Sequence, residues 1–192
     1  QKVVHRDLKP ENVFVIAGGT HSIRLLDFGV AKFQHEKLLE GSAFRTQGRA
    51  IVGTPAYLSP DAITNDKIDG RTDLYSLGVM LFEMLTGTLP LESPTPEGFI
   101  GQHLICPPLT LKQARPETDW PEALEDLLAA MLAKSRKKRP ESCAAILKRL
   151  REEGLGDQIR GLTADDLATQ SVLDLDQEET RGILGLVGRL FS

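Results

Sequence analysis

The sequence predicts an α+β fold that is helical in the main, with short strands confined to its N-terminal end. Three observations carry that expectation. "VFVI" (13–16) and "IRLL" (23–26) are apolar-rich runs too short for helices. "TDLYSLGVMLFEMLTG" (72–87) is apolar on nearly every side, as a helix inside a core must be. Two later segments pair a leading proline with apolar residues at helical spacing.

In chain order, "VVHRDLKPENVFVI" reads as a loop that runs into a short strand over Val13 to Ile16. "IRLLDFGVAK" gives a second short strand ending in a turn at Gly29, and "AGGTHS" between the two suits a hairpin connection. From Val30 to Asp61 the pattern is polar and irregular, too long for an idle loop and therefore read as a regulated segment. The buried helix follows at 72–87, with Gly87 as its stop. Prolines in "LPLESPTPEGF" and "CPPLTLKQARPE" predict loops around at most one short helix between 88 and 118. "WPEALEDLLAAMLAKS" predicts a helix started by Pro121, with Leu124, Leu127, Leu128, Met131 and Leu132 on its apolar face. "RPESCAAILKRLREEG" predicts another from Pro140 to Gly154, with Cys143 packed into the core. In the tail, "TADDLATQ" offers a helix start at Thr163 and "ETRGILGLVGRLFS" is amphipathic.

The 192 residues are enough for one main domain, expected over 1–150, followed by a linker-like tail over 151–192. The tail holds the acidic excess: residues 1–150 carry 19 basic and 18 acidic side chains, residues 151–192 carry 4 and 9. A net charge of −4 gives no general attraction to nucleic acid, and "KSRKKRP" is read as a solvated face comprising Lys134, Arg136, Lys137 and Lys138. Cys106 and Cys143 are isolated and His21, His35 and His103 are read as surface or loop residues, so neither a disulfide framework nor a zinc site is expected. No apolar run of membrane-spanning length and no signal-peptide pattern occurs. The expected location is the cytoplasm, which includes the cytoplasmic part of a membrane-anchored parent.

The chemistry is concentrated in two stretches. Phosphoryl transfer needs an oriented hydroxyl and cations on the phosphate oxygens, with little covalent help from the protein. In "HRDLKPEN", Asp7 can accept a hydroxyl proton, Lys9 can hold the moving phosphoryl group, and Asn12 can give magnesium a neutral oxygen ligand. In "DFG", Asp27 supplies the charged oxygen ligand that such a cation prefers, and Gly29 lets the turn reverse.

"HRDLKPEN" followed fifteen residues later by "DFG" resembles the catalytic core of eukaryotic-type serine/threonine protein kinases. "GTPAYLSPD", "DGRTDLYSLGVMLFEMLTGTLP" and "RKKRP" follow in the family's order, and the phrasing is most similar to bacterial members. The resemblance implies ATP and Mg2+ as cofactors and a protein substrate with a Ser or Thr acceptor. It places Phe14 beneath the adenine, with Lys9, Asn12 and Asp27 around phosphate and metal. His5 and Phe28 fall at regulatory-spine positions, and Asp73 would hold the backbone around His5 and Arg6. Arg6 before the catalytic aspartate marks the class switched by activation-loop phosphorylation. Among Ser42, Thr46 and Thr54, Thr46 is the preferred phosphosite, beside the equal reading of an unmodified loop threonine. Thr54 would contact Asp7 and Lys9, and Glu11 could meet a basic substrate residue. Asp61 stands where the family has glutamate, and its usual partner, here Arg139, must be reached by a shorter side chain. Dimerisation for trans-autophosphorylation is a further partner that the resemblance implies.

The family's glycine-rich loop, strand lysine and helix glutamate have no counterpart before His5, and Gly18–Gly19 lacks the spacing to replace them. Roughly 120 residues are missing relative to a typical kinase domain. The expectation is therefore a large-lobe fragment of an active parent, inactive alone and prone to aggregate through an apolar face uncovered on the 72–87 helix and the strands. The alternative is a non-catalytic docking or regulatory module.

Overall fold

The computed structural model describes residues 3–16, 22–27 and 55–161. Phe28, Gly29, Ser42, Thr46, Thr54 and the tail helices expected after residue 162 lie outside the described residues. What is described is mostly helical with one small sheet, in keeping with the α+β expectation.

The sheet is a two-stranded antiparallel ribbon of β1 (Val13–Ile16) and β2 (Ser22–Leu25), in which Val13 faces Leu25 and Ile16 faces Ser22. A single 3-10 turn at Pro10–Asn12 delivers the chain to β1. The irregular stretch expected up to Asp61 closes earlier, in a 3-10 turn at Pro55–Tyr57 and a short helix α1 (Pro60–Thr64). Ser59 caps α1 by accepting the Ala62 N–H, Pro60 occupies the first turn, and Asn65 ends it in a left-handed conformation at φ 53°.

Helix α2 (Gly70–Thr86) is the centre of the fold. Asp69 caps its start through the Arg71 N–H, and Gly87 stops it at φ 74°, donating its N–H to the Glu83 carbonyl at 2.7 Å. Leu74, Leu81, Phe82 and Leu85 enter the main core, which α5 (Glu122–Met131) supplies with Leu124, Leu127, Leu128 and Met131. Gly78 makes the α2–α5 approach possible, because a Cβ there would lie 2.9 Å from Met131 Cβ.

Two helices, rather than at most one, occupy the proline-rich stretch: α3 (Pro96–Ile105) and α4 (Leu111–Ala114). Local caps explain both. Thr95 accepts the Gly98 N–H with Pro96 in the first turn, while Thr110 and Gln113 form a capping box. Helix α6 runs over Cys143–Glu152, so it starts three residues beyond Pro140, where Ser142 accepts the Ala145 N–H. Cys143 therefore sits in the first turn and is exposed, which corrects its reading as a core residue. A further helix, α7 (Leu155–Gly161), brings the fully buried Leu155 and Ile159 onto the core, an addition the sequence reading did not contain.

Of the apolar face expected on the 72–87 helix and the strands, the helix part is corrected and the strand part is present. The α2 residues Leu74, Val79, Leu81 and Phe82 are all buried, since α4 and α5 pack against that helix and Val79 joins Tyr75 and Leu132 in a second cluster. Exposed large apolar side chains do lie on the ribbon and its flanks, at Val3, Phe14, Ile16, Leu25 and Leu26, and two more, Ile105 and Leu109, lie at and just beyond the end of α3.

Candidate active site

The site starts from a backbone constraint. Arg6 and Asp27 lie in the left-handed region, at φ 69° and 57°. That conformation costs a non-glycine residue on the order of 1–2 kcal/mol and persists only where surroundings impose it. Asp73, in the first turn of α2, imposes it on the first loop: its two carboxylate oxygens accept the N–H groups of His5 and Arg6, both at 2.8 Å. Burial pushes the Asp73 carboxyl above its ordinary value, and those two N–H bonds pull it part of the way back. The second loop is tied to the first by His5 Nε2, which donates to the Leu26 carbonyl at 2.7 Å, and by the Leu26 N–H, which donates to the Asn12 carbonyl at 2.9 Å.

On this frame Asp7, Lys9 and Asn12 converge. Lys9 Nζ is 3.1 Å from Asp7 Oδ2, in a partly exposed pair. Asn12 is buried and its amide nitrogen donates to the Asp7 carbonyl at 2.7 Å and to Asp7 Oδ2 at 3.2 Å. A carbonyl can only accept, so the amide orientation is fixed and the Asn12 carbonyl oxygen points away from Asp7. Asp27 is exposed beside that loop, and Phe14, 60% exposed, stands on β1. Among the described residues no group of three or more His, Cys, Asp or Glu could hold a metal unaided. Asp27 and Asn12 nevertheless fit magnesium, which takes one or two protein oxygens and completes its shell with phosphate and water.

A second structure lies within electrostatic reach of this loop, since the Glu11 carboxylate adds to the upward push on the Tyr57 phenol. The Pro55–Tyr57 turn is held by α2, through Ser76 Oγ donating to the Tyr57 carbonyl at 2.7 Å and Tyr57 OH donating to Glu83 at 2.6 Å. Burial and the Glu83 carboxylate both push the Tyr57 phenol up, so it stays protonated. Asp61 does reach Arg139: Oδ1 lies 2.6 Å from Nη1, and the Arg139 side chain is fully buried. The shorter acid suffices because Arg139 is brought to it, donating to the carbonyls of Ala133 (2.8 Å), Arg71 (3.0 Å) and Lys134 (3.2 Å). Thr72 donates to the other Asp61 oxygen. The Arg139 guanidinium also lies over the Tyr75 ring, 4.8 Å from its centre.

Two residues read as solvated belong to a buried polar cluster behind this turn. His103 is fully buried, with Nε2 2.9 Å from the Ala56 carbonyl and Nδ1 2.9 Å from Tyr75 OH. Lys134 is half-buried and donates to Tyr75 OH at 3.4 Å and to the Gln102 carbonyl at 3.2 Å. Burial lowers His103 to about 4 and Lys134 to about 8. A signal for His103 was present in the spacing of Phe99 and His103 on one side of "PEGFIGQHLI", but the prolines around it masked the helix.

Such an arrangement can orient a hydroxyl at Asp7, place an ammonium beside it, and offer two oxygen ligands to a cation, all on a rigid helical base. The sequence pattern of the protein kinase domain matches residues 1–150. The chain is 40% identical over 141 residues to serine/threonine-protein kinase pkn2 of Myxococcus xanthus, covering 73% of this chain and 17% of that protein. It is 33% identical over 207 residues to serine/threonine-protein kinase Pkn1 of the same organism, covering 97% of this chain and 27% of that one. Serine/threonine-protein kinase A of Synechocystis is 39% identical over 150 residues, or 76% of this chain and 27% of that protein. The chain belongs to the protein kinase family, and these relatives are its bacterial serine/threonine members. It spans 17% to 27% of the length of these relatives. No helix among the described residues is long and apolar enough to cross a membrane.

Proposed function

We propose that this chain is the helical large lobe of a protein kinase that transfers the γ-phosphate of ATP to serine or threonine hydroxyls of proteins. The observation that carries the reading is the Asp7, Lys9 and Asn12 cluster on a loop whose left-handed backbone is held by Asp73. Asp7 orients the acceptor hydroxyl and takes its proton. Lys9 balances charge on the transferring group, and its contact with Asp7 keeps the two in register. Asn12 and Asp27 would hold magnesium, which when bound would supply neutralisation of phosphate charge. Phe14, exposed on β1, offers an apolar floor for the adenine. Thr54 presents the acceptor, and Thr46, paired with Arg6 once phosphorylated, switches the loop. Residues 1–150 form the kinase portion, α7 adds Leu155 and Ile159 to its core, and the rest of 151–192 is an acidic linker. The site lies in the cytoplasm, with trans-autophosphorylation between two copies as the route to activation.

The test is phosphate transfer from ATP to a generic serine/threonine peptide by the full-length protein, by its Asp7→Asn variant, and by this chain alone. Transfer by the unmutated full-length protein only is the expected result. Undiminished transfer by the Asp7→Asn variant would overturn the assignment of Asp7. Transfer by none would favour a docking module.

A further inference from the structure

We propose that His103 is a positioning residue for the protein substrate: from α3 its Nε2–H holds the Ala56 carbonyl, in a tautomer that this carbonyl fixes and Tyr75 completes, and so sets the Pro55–Tyr57 turn. The inference rests on the kinase reading above and adds to it a residue outside the motifs that carry it.

Among the described residues the turn has three polar attachments. Two come from α2, at the Tyr57 carbonyl and the Tyr57 hydroxyl. The third, at the Ala56 carbonyl, comes from His103 alone among the described residues, across 47 positions of sequence. The proton positions follow from partner chemistry. The Ala56 carbonyl can only accept, so Nε2 carries the proton and Nδ1 is bare. Nδ1 must then accept the Tyr75 hydroxyl proton, and Tyr75 oxygen is left to accept from Lys134 Nζ. The chain of donors runs one way, from Lys134 through Tyr75 and His103 to Ala56. Reversing any member leaves two donors facing each other inside the protein.

Packing gives His103 no other position to adopt. Its ring meets Tyr75 edge-on at 5.6 Å between centres and stacks on Phe99 at 6.5 Å. Lys134 also fastens the α3 backbone through the Gln102 carbonyl. The charged groups around the cluster are Lys134 and, beyond the Tyr75 ring, Arg139 with its partner Asp61. The surroundings are net cationic, which favours the neutral imidazole that the donor order requires. The placement of α3 is thereby transmitted to a turn that the proposed mechanism puts against the substrate.

The experiment uses the full-length protein, with two variants that divide the two ring nitrogens. His103→Gln places an amide N–H at the Nε2 end, and His103→Asn leaves that end empty. Steady-state kinetics on the peptide should give His103→Asn a KM for peptide raised about tenfold, the loss of one hydrogen bond, against less than about threefold for His103→Gln. Amide hydrogen exchange at Leu58, whose N–H closes the turn onto the Pro55 carbonyl at 3.1 Å, should quicken about tenfold in His103→Asn and little in His103→Gln. The 15N NMR signature of His103 in the unmutated protein should be the neutral Nε2–H tautomer. Equal behaviour of the two variants in KM and Leu58 exchange, or an Nδ1–H or doubly protonated ring, would overturn the proposal. If the unmutated protein transfers no phosphate, the kinase reading fails by itself, and the exchange and NMR results still decide whether His103 sets the turn. If His103→Asn does not fold, the tautomer decides it.

Discussion

Acidification should remove stability through His103 in a window that its position defines. The ring is fully buried and its pKa is lowered to about 4, from 6.5, because burial penalises the charged form and Lys134 adds to that penalty. The sign follows from which state binds the proton. Between about pH 6.5 and about pH 4 the unfolded chain takes up a proton that the folded chain refuses, so stability falls as pH falls. At about 1.4 kcal/mol for each pH unit separating the two values, the full loss is about 3 kcal/mol, of which about 2 kcal/mol is gone by about pH 5. Other groups titrate in the same range, so the measurement is a difference: urea melts of the unmutated protein and of His103→Gln at about pH 7, 6 and 5. The variant cannot take up that proton in either state. The stability advantage of the unmutated protein over it should therefore shrink by about 2 kcal/mol across the series. Two melting series that decline in parallel would refute the reasoning, since His103 would then have the same proton affinity folded and unfolded.

Three other perturbations follow from the packing and the buried charges. Asp61→Ala leaves the buried Arg139 guanidinium with carbonyls but no counter-charge, which should cost about 3 kcal/mol in a urea melt; a loss below about 1 kcal/mol would show the pair to be dispensable. Gly78→Ala puts a methyl 2.9 Å from Met131 Cβ and 3.3 Å from Leu132 Cδ2. The helices must separate there, so the thermal midpoint should fall with a loss of about 1–3 kcal/mol, whereas an unchanged midpoint would mean that α2 and α5 give way freely. Asp73→Asn replaces a two-oxygen acceptor by a group with one acceptor and one donor, so one of the two backbone N–H bonds at His5 and Arg6 is lost. That should cost about 2 kcal/mol and speed amide exchange at Arg6, with slow exchange retained if some other group holds the loop.

How far the sequence could be read depended on whether the signal was local. The hairpin, the central helix and the α5 helix all announce themselves within a window of a few residues: strand runs on either side of a turn, an apolar run ending at Gly87, and leucines at helical spacing after Pro121. Asp7, Lys9, Asn12 and Asp27 stood out because short motifs carry them, and the fold brings the loops that hold them together. Failures arose where the deciding partner lies far along the chain. His103 looked like a loop residue until α3 placed it against Tyr75, 28 positions earlier, and Ala56, 47 positions earlier. Lys134 sits in a cationic run where Lys137 and Lys138 stay exposed, and the Gln102 carbonyl and the Tyr75 hydroxyl draw it inward. Cys143 fits an apolar periodicity, yet Ser142 caps the helix one residue before it and leaves it in the outward-facing first turn.

One helix face explains why the site could be specified by so few residues. Asp73, Ser76 and Glu83 are the α2 side chains that bind the catalytic loop, the Tyr57 carbonyl and the Tyr57 hydroxyl. At about 100° per residue, those three positions fall within an arc of about 80°. The same helix turns Leu74, Leu81 and Leu85 toward the core, so its polar face is aimed by the packing of its apolar one. A shift of α2 against α5 would move both loops together rather than one against the other, which keeps the Asp7 cluster and the Pro55–Tyr57 turn in a fixed relation. His103 adds a hold from outside that face: it reaches the turn from α3, and its bond to Tyr75 ties α3 back to α2. Substitutions in the α2–α5 core should consequently lower stability while leaving the relative geometry of the two loops intact, whereas substitutions at the buried His103 should lower stability and release the Ala56 carbonyl together.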